Sequence, residues 1–167
     1  GVGKSSLVSK VVERCHKDMI VISRFVGHAF SRASGIEMLR SIWQEMNKHG
    51  KFDKEFSVFN FSERIQKTSY SIPMLIVIDG IDQLSDDDEF LSMNWLPEKL
   101  EGNIRVLYTV LNRPEYYSLY QRHSVIQYAL TPFDNNDALN YIDLKLQKMG
   151  RTLTSEQLLS IRNAINK

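Results

Sequence analysis

A chain of 167 residues with 43% hydrophobic and 25% charged side chains has the length of one domain and enough apolar mass for a core, which excludes intrinsic disorder. Its net charge of +1 excludes a polycationic nucleic-acid binder, so no direct nucleic-acid contact is expected. The single cysteine, Cys15, excludes an internal disulfide framework and fits a cytoplasmic, reducing compartment, and no apolar run nears the roughly 18 residues of a membrane span.

The chain opens on Gly1-Val2-Gly3-Lys4-Ser5-Ser6, the second half of a phosphate-binding loop of the form G-x-x-x-x-G-K-[ST], whose leading glycine would precede Gly1. Glycines let a sharply bent backbone aim N–H groups at phosphate without a Cβ in the way. Gly1, Val2, Gly3, Lys4, Ser5 and Ser6 are therefore the expected phosphate-binding residues. Lys4 brings a positive charge to the outer phosphates and Ser5 a hydroxyl for magnesium. Residues 5–16 carry Leu7, Val8, Val11 and Val12 at helical spacing, so the loop opens a helix with its positive dipole end toward the same anion.

Residues 19–26 are β-branched and almost continuously apolar, as a strand covered on both faces would be. Residues 27–35 read as a loop in which His28 has no metal-spaced partner, and Ser34 caps a helix bearing Ile36, Met38, Leu39, Ile42, Trp43 and Met46. A further helix is expected over 56–70, with Phe56, Phe59 and Ile65 inward and Phe61 a further candidate for that face.

The second strong signal is Pro73 to Leu84. Apolar residues 74–78 enter through a proline and end in Asp79, which predicts a buried strand with its carboxylate at the rim. Ligands bind at that rim in doubly wound sheets, so Asp79 is the expected second magnesium residue beside Ser5. Asp82 follows past Gly80. It is either a turn residue or the catalytic carboxylate that orients or deprotonates the attacking water, with Lys4 as its catalytic partner. The acidic run 86–89 lacks the ligand spacing and turn glycine of a calcium loop and reads as solvated surface.

A third buried strand is expected over 103–111, and its polar end makes Thr109, Asn112 and Arg113 candidate sensors of the γ-phosphate; a solvent-facing Arg113 is the competing reading. Residues 125–130 predict a fourth strand. Beyond Pro132 the pattern turns helical: Asp134 or Asn135 caps a helix ended by Gly150, and Thr154 to Gln157 forms a capping box for another. The expected organisation is a core over 1–131 and the first helices of a lid over 132–167.

Gly1 to Ser6, the stretch from Phe25 to Leu39, and Leu75 to Asp82 together resemble the NACHT branch of the STAND signal-transduction NTPases, in the group with nephrocystin-like, telomerase-associated and NACHT-with-WD-repeat proteins. Trp95-Leu96-Pro97, Asp137-Ala138-Leu139 and Gly150 to Leu153 agree with that branch. The resemblance implies an α/β fold of the P-loop NTPase (ASCE) type, a parallel sheet flanked by helices with strand order 5-1-4-3-2. This chain would lack strand one, and would be poorly stable beside a chain begun about ten residues earlier. It also implies ATP or ADP with magnesium, and a slowly hydrolysing switch whose nucleotide state controls conformation and self-association. Protein partners would be engaged through flanking repeats. Gln83 stands where relatives often carry a further acid, which suits an interaction scaffold with a structural, unhydrolysed nucleotide. A GTPase is the remaining alternative: Asn112 to Glu115 loosely imitates N-K-x-D, but Asp82 stands where glycine is wanted.

Overall fold

The computed structural model describes residues 3–26, 34–84, 94–114 and 125–165. Gly1, Val2, His28, the acidic run 86–89 and the segment after Pro114 lie outside them. The described elements are helix α1 (Lys4–Cys15), strand β1 (Ile20–Phe25), helices α2 (Gly35–Met46) and α3 (Val58–Lys67), strand β2 (Met74–Asp79), a 3₁₀ turn (Ile81–Gln83), strand β3 (Ile104–Tyr108), and helices α4 (Asn135–Lys148) and α5 (Ser155–Ile165). The described residues form an α/β arrangement of a three-stranded parallel sheet and five α-helices. It divides into two compact units that meet in sequence between Tyr128 and Ala129.

The sheet runs β1-β2-β3, with Ile20 opposite Met74, Phe25 opposite Asp79, and Met74 opposite Ile104. All six β2 residues are buried because both faces are covered, the reason its apolar run is continuous rather than alternating. Alternation sorts the side chains. Met74, Ile76 and Ile78 join Ile22, Ile104, α2 and α3 in the larger core, whereas Leu75 and Val77 meet Val8, Val11, Val12 and Cys15 of α1 on the opposite face. Each fully buried aliphatic side chain of β2 contributes about 1.5–3 kcal/mol.

α2 forms where its apolar period predicts, and Ser34 accepts Glu37 N–H at 3.2 Å as its cap. Met38, Leu39, Ile42, Trp43 and Met46 are buried. In α3 the expectation for Phe59 is overturned: Phe59 is 74% exposed. The helix starts at Val58 on a Ser57 cap, so Phe56 precedes it, and the inward face is set by Phe61, Arg64 and Ile65. Phe59 lies two residues before Phe61, about 200° round a 3.6-residue helix.

Buried Arg64 was not anticipated. Its guanidinium donates to Tyr70 Oη at 2.9 Å, Asn47 Oδ1 at 2.5 Å and Gly50 O at 2.6 Å, and lies 4.9 Å from the Trp43 ring centroid. Arg24 of β1 likewise leans onto α2, reaching Ser41 Oγ at 2.8 Å and Glu45 Oε2 at 2.7 Å.

The expected fourth strand over 125–130 does not form, and Ile126 and Tyr128 are 82% and 85% exposed. The observed order is compatible with the 4-3-2 part of the expected series. In that series a fifth strand pairs with a neighbour lying beyond β3, and no described strand occupies that place. Without a partner's N–H and C=O groups, apolar alternation alone does not hold a strand.

In the second unit, Asp134 accepts Asp137 N–H at 2.7 Å to start α4. Ala138, Leu139, Ile142 and Leu146 form its half-buried stripe, while Met149 is exposed. Gly150, at φ 66°, ends the helix. Both capping-box bonds of α5 are made: Gln157 N–H to Thr154 Oγ1 at 3.3 Å, and Thr154 N–H to Gln157 Oε1 at 3.0 Å.

Candidate functional site

Gly3 precedes α1 in the left-handed region at φ 83°, a conformation that disfavours any residue with a Cβ. Lys4, half-buried, is the first residue of the helix, and Ser5 and Ser6 are exposed in its first turn. α2, α3, α4 and α5 begin on Ser34, Ser57, Asp134 and Thr154, each accepting a first-turn N–H. α1 begins with no side-chain cap and no acid in its first turn. Its leading N–H groups therefore have no capping side chain, and Lys4 adds a cation at the end that the macrodipole already makes positive.

The position of that end follows from lengths. α1 turns into β1 through residues 16–19, closed by Met19 N–H to Cys15 O at 3.0 Å. It packs back over Leu75 and Val77. Twelve helical residues span about 18 Å, close to the roughly 20 Å of a six-residue strand. α1 thus runs antiparallel to the strands, and its N-terminus lies toward their C-terminal rim.

Asp79 is the last residue of β2 on that rim and is 5% exposed. Its Oδ1 accepts the Thr109 hydroxyl at 2.6 Å, and Thr109 Oγ1 in turn accepts Gly80 N–H at 2.8 Å. Two backbone bonds tie the same segments: Thr109 N–H to Ile78 O and Ile81 N–H to Thr109 O, both 3.0 Å. Gly80, at φ 85°, turns the chain into the 3₁₀ turn that carries Asp82. Asp82 is half-buried, and its Oδ1 accepts Leu111 N–H at 3.0 Å.

Asp79 is thereby bonded to Thr109, and Asp82 to the Leu111 amide, where β2 and β3 end. Asn112 and Arg113 follow Leu111 and are exposed. Leu111 itself, expected only as the end of the third strand, is the residue linking Asp82 to that segment. It joins through its backbone amide, a group with no residue-specific signal in sequence. Among the described residues, no buried side-chain nitrogen or oxygen lacks a partner, and no cluster of three or more His, Cys, Asp or Glu is placed to hold a metal ion. A magnesium at this rim would draw on one hydroxyl and one carboxylate, with phosphate oxygens and water completing its shell, which is the ordinary donor set for that ion. No described helix is long and apolar enough to cross a membrane.

No protein-family model matches the chain. Among curated proteins it is similar to NACHT and WD repeat domain-containing protein 2 of Mus musculus, 24% identical over 188 residues, and to the Homo sapiens protein of the same name, 23% identical over 188 residues. Each match takes in 99% of this chain and 11% of the relative, so the chain spans about a ninth of the length of the curated relatives it matches.

Proposed function

We propose that this chain is the nucleotide-binding part of a NACHT-type P-loop switch, with residues 1–131 as the core and 132–167 as the first lid helices. The observation that carries the reading is α1. It is the described helix that opens without a capping side chain, it opens on Gly3 and Lys4, and it points toward the rim where Asp79 ends β2. An uncapped N-terminus with an added cation is electrostatically poor by itself and is stabilised by a bound anion. Whole-chain similarity to two NACHT and WD repeat proteins supports the same reading.

In this reading Gly1, Val2, Gly3, Lys4, Ser5 and Ser6 hold the phosphates of ATP or ADP, and Ser5 and Asp79 hold magnesium. The bound nucleotide supplies a hydrolysable anhydride. Turnover is slow, on the order of 10⁻⁴ to 10⁻² per second for phosphate-loop proteins without an externally supplied arginine. Occupancy at about 100 times the dissociation constant biases the liganded state by about 2.7 kcal/mol, enough to switch conformation and self-association. Partners are proteins, engaged through repeats elsewhere in the parent polypeptide, in an intracellular setting.

A second reading, a scaffold whose nucleotide is held and not turned over, is favoured by the commitment of Asp82 Oδ1 to the Leu111 amide. Both readings require binding. Titration with a fluorescent ATP analogue and magnesium should give saturable binding that Lys4→Ala weakens by about tenfold or more. Asp79→Asn should remove the dependence on magnesium. Equal affinity in the parent chain and Lys4→Ala would sink the nucleotide site. Single-turnover hydrolysis separates switch from scaffold.

A further inference from the structure

Beyond the end of the β2·β3 ladder, the two strand continuations stay joined by bonds of another kind. Thr109 Oγ1 bridges Asp79 Oδ1 and Gly80 N–H, Ile81 N–H reaches Thr109 O, and Leu111 N–H reaches Asp82 Oδ1. The turn bearing Asp82 is itself immobilised. Gln83 N–H closes on Gly80 O at 2.9 Å and Leu84 N–H on Ile81 O at 3.2 Å, while Ile81 and Leu84 are 1% and 8% exposed. Asp82 Oδ1 is therefore a fixed acceptor, and the amide it receives belongs to the residue before exposed Asn112 and Arg113.

We propose that Asp82 is a positioning residue: its carboxylate oxygen holds the Leu111 amide and so sets where the segment 111–113 leaves the rim, instead of taking a proton from water. The proposal rests on the nucleotide-site reading for its functional consequence, though the clamp is physical and is measurable without nucleotide. A base needs an oxygen that accepts a proton, whereas a clamp needs only a lone pair aimed at an N–H. An amide oxygen supplies the second and not the first.

Asp82→Asn and Asp82→Ala separate the two roles. In the full chain, hydrogen exchange at Leu111 and its neighbours should stay within about threefold of the parent in Asp82→Asn and become roughly tenfold faster or more in Asp82→Ala, with the Ile22 and Ile76 amides as a control for the sheet. Single-turnover ATP hydrolysis should follow the same order, with Asp82→Asn within about threefold of the parent and Asp82→Ala reduced by about tenfold. If Asp82→Ala loses protection at Ile22 and Ile76, Asp82→Leu, which keeps the bulk, takes its place with the same expectation. Unchanged exchange at Leu111 in Asp82→Ala or its replacement overturns the clamp. So does a loss of hydrolysis of about a hundredfold in Asp82→Asn with Leu111 still protected, since that is the behaviour of a base. If the parent chain binds no nucleotide, or hydrolyses it only at background, the nucleotide or switch reading fails separately and the exchange comparison alone decides the clamp.

Discussion

The hydroxyl of Thr109 donates to Asp79 Oδ1 at 2.6 Å, joining residues thirty positions apart where two neighbouring parallel strands end. Because Thr109 Oγ1 also accepts Gly80 N–H, one side chain fixes both the carboxylate and the turn behind it. Thr109→Val keeps the shape and removes the hydroxyl, leaving Gly80 N–H without this acceptor and Asp79 Oδ1 without this donor. The expected loss is about 1–3 kcal/mol in urea denaturation, with Thr109→Ser close to the parent. A loss in Thr109→Ser with none in Thr109→Val would show that the methyl group, not the hydroxyl, matters.

Arg64 is 1% exposed and, among the described residues, has no ion-pair partner. Three neutral oxygens and the faces of Trp43, Phe52 and Tyr70 compensate its burial. A lysine ammonium does not reproduce a planar fork reaching three separate acceptors. Arg64→Ala is expected to cost about 3–5 kcal/mol, and Arg64→Lys to retain less than half of that stabilisation, by chemical denaturation.

Gly102 sits where the lead into β3 crosses the end of α3, its N–H donating to Gln66 O at 3.1 Å. A Cβ here would fall on the Thr68 carbonyl oxygen, well inside van der Waals contact, and 2.9 Å from the carbonyl carbon. The obstacle is backbone, so no side-chain rotation relieves it. Gly102→Ala should destabilise by about 1–3 kcal/mol in denaturant titration. Gly50→Ala, whose Cβ would meet the Tyr70 ring at 2.9 Å, should cost less because a side chain can yield.

The hydrogen bond from Lys54 holds the Glu63 carboxyl below its usual 4.5. With the folded value depressed, the folded state binds fewer protons than the unfolded chain near that pH. The contribution is present above 4.5 and disappears as pH falls through the depressed value. Thermal midpoints of the parent and Lys54→Met should therefore differ at neutral pH and converge in acid well below 4.5. A difference that persists there would mean that the Lys54 stem, not the ion pair, stabilises the fold.

How much was legible depended on range. α1, α2, the three strands, the Ser34 and Asp134 caps, the Thr154–Gln157 box and the Gly150 stop all came from residues within about four positions of one another, the distance over which helical period and capping operate. A helix's phase relative to the rest of the core is already less local. Phe59 and Arg64 have the wrong chemistry for their positions on a hydrophobicity count, and only the seating of α3 against Trp43 and Trp95 put the phenylalanine outside and the guanidinium inside.

Sequence alone determined the glycine-lysine-serine run at the head of α1 and an acid at the end of a buried strand, because both are written in neighbouring residues. Tertiary structure decided which groups those acids bind. The Thr109 hydroxyl and the Leu111 amide reach Asp79 and Asp82 only once β2 and β3 pair in one register, and 125–130 stayed out of the sheet because pairing needs an adjacent strand as well as a suitable pattern.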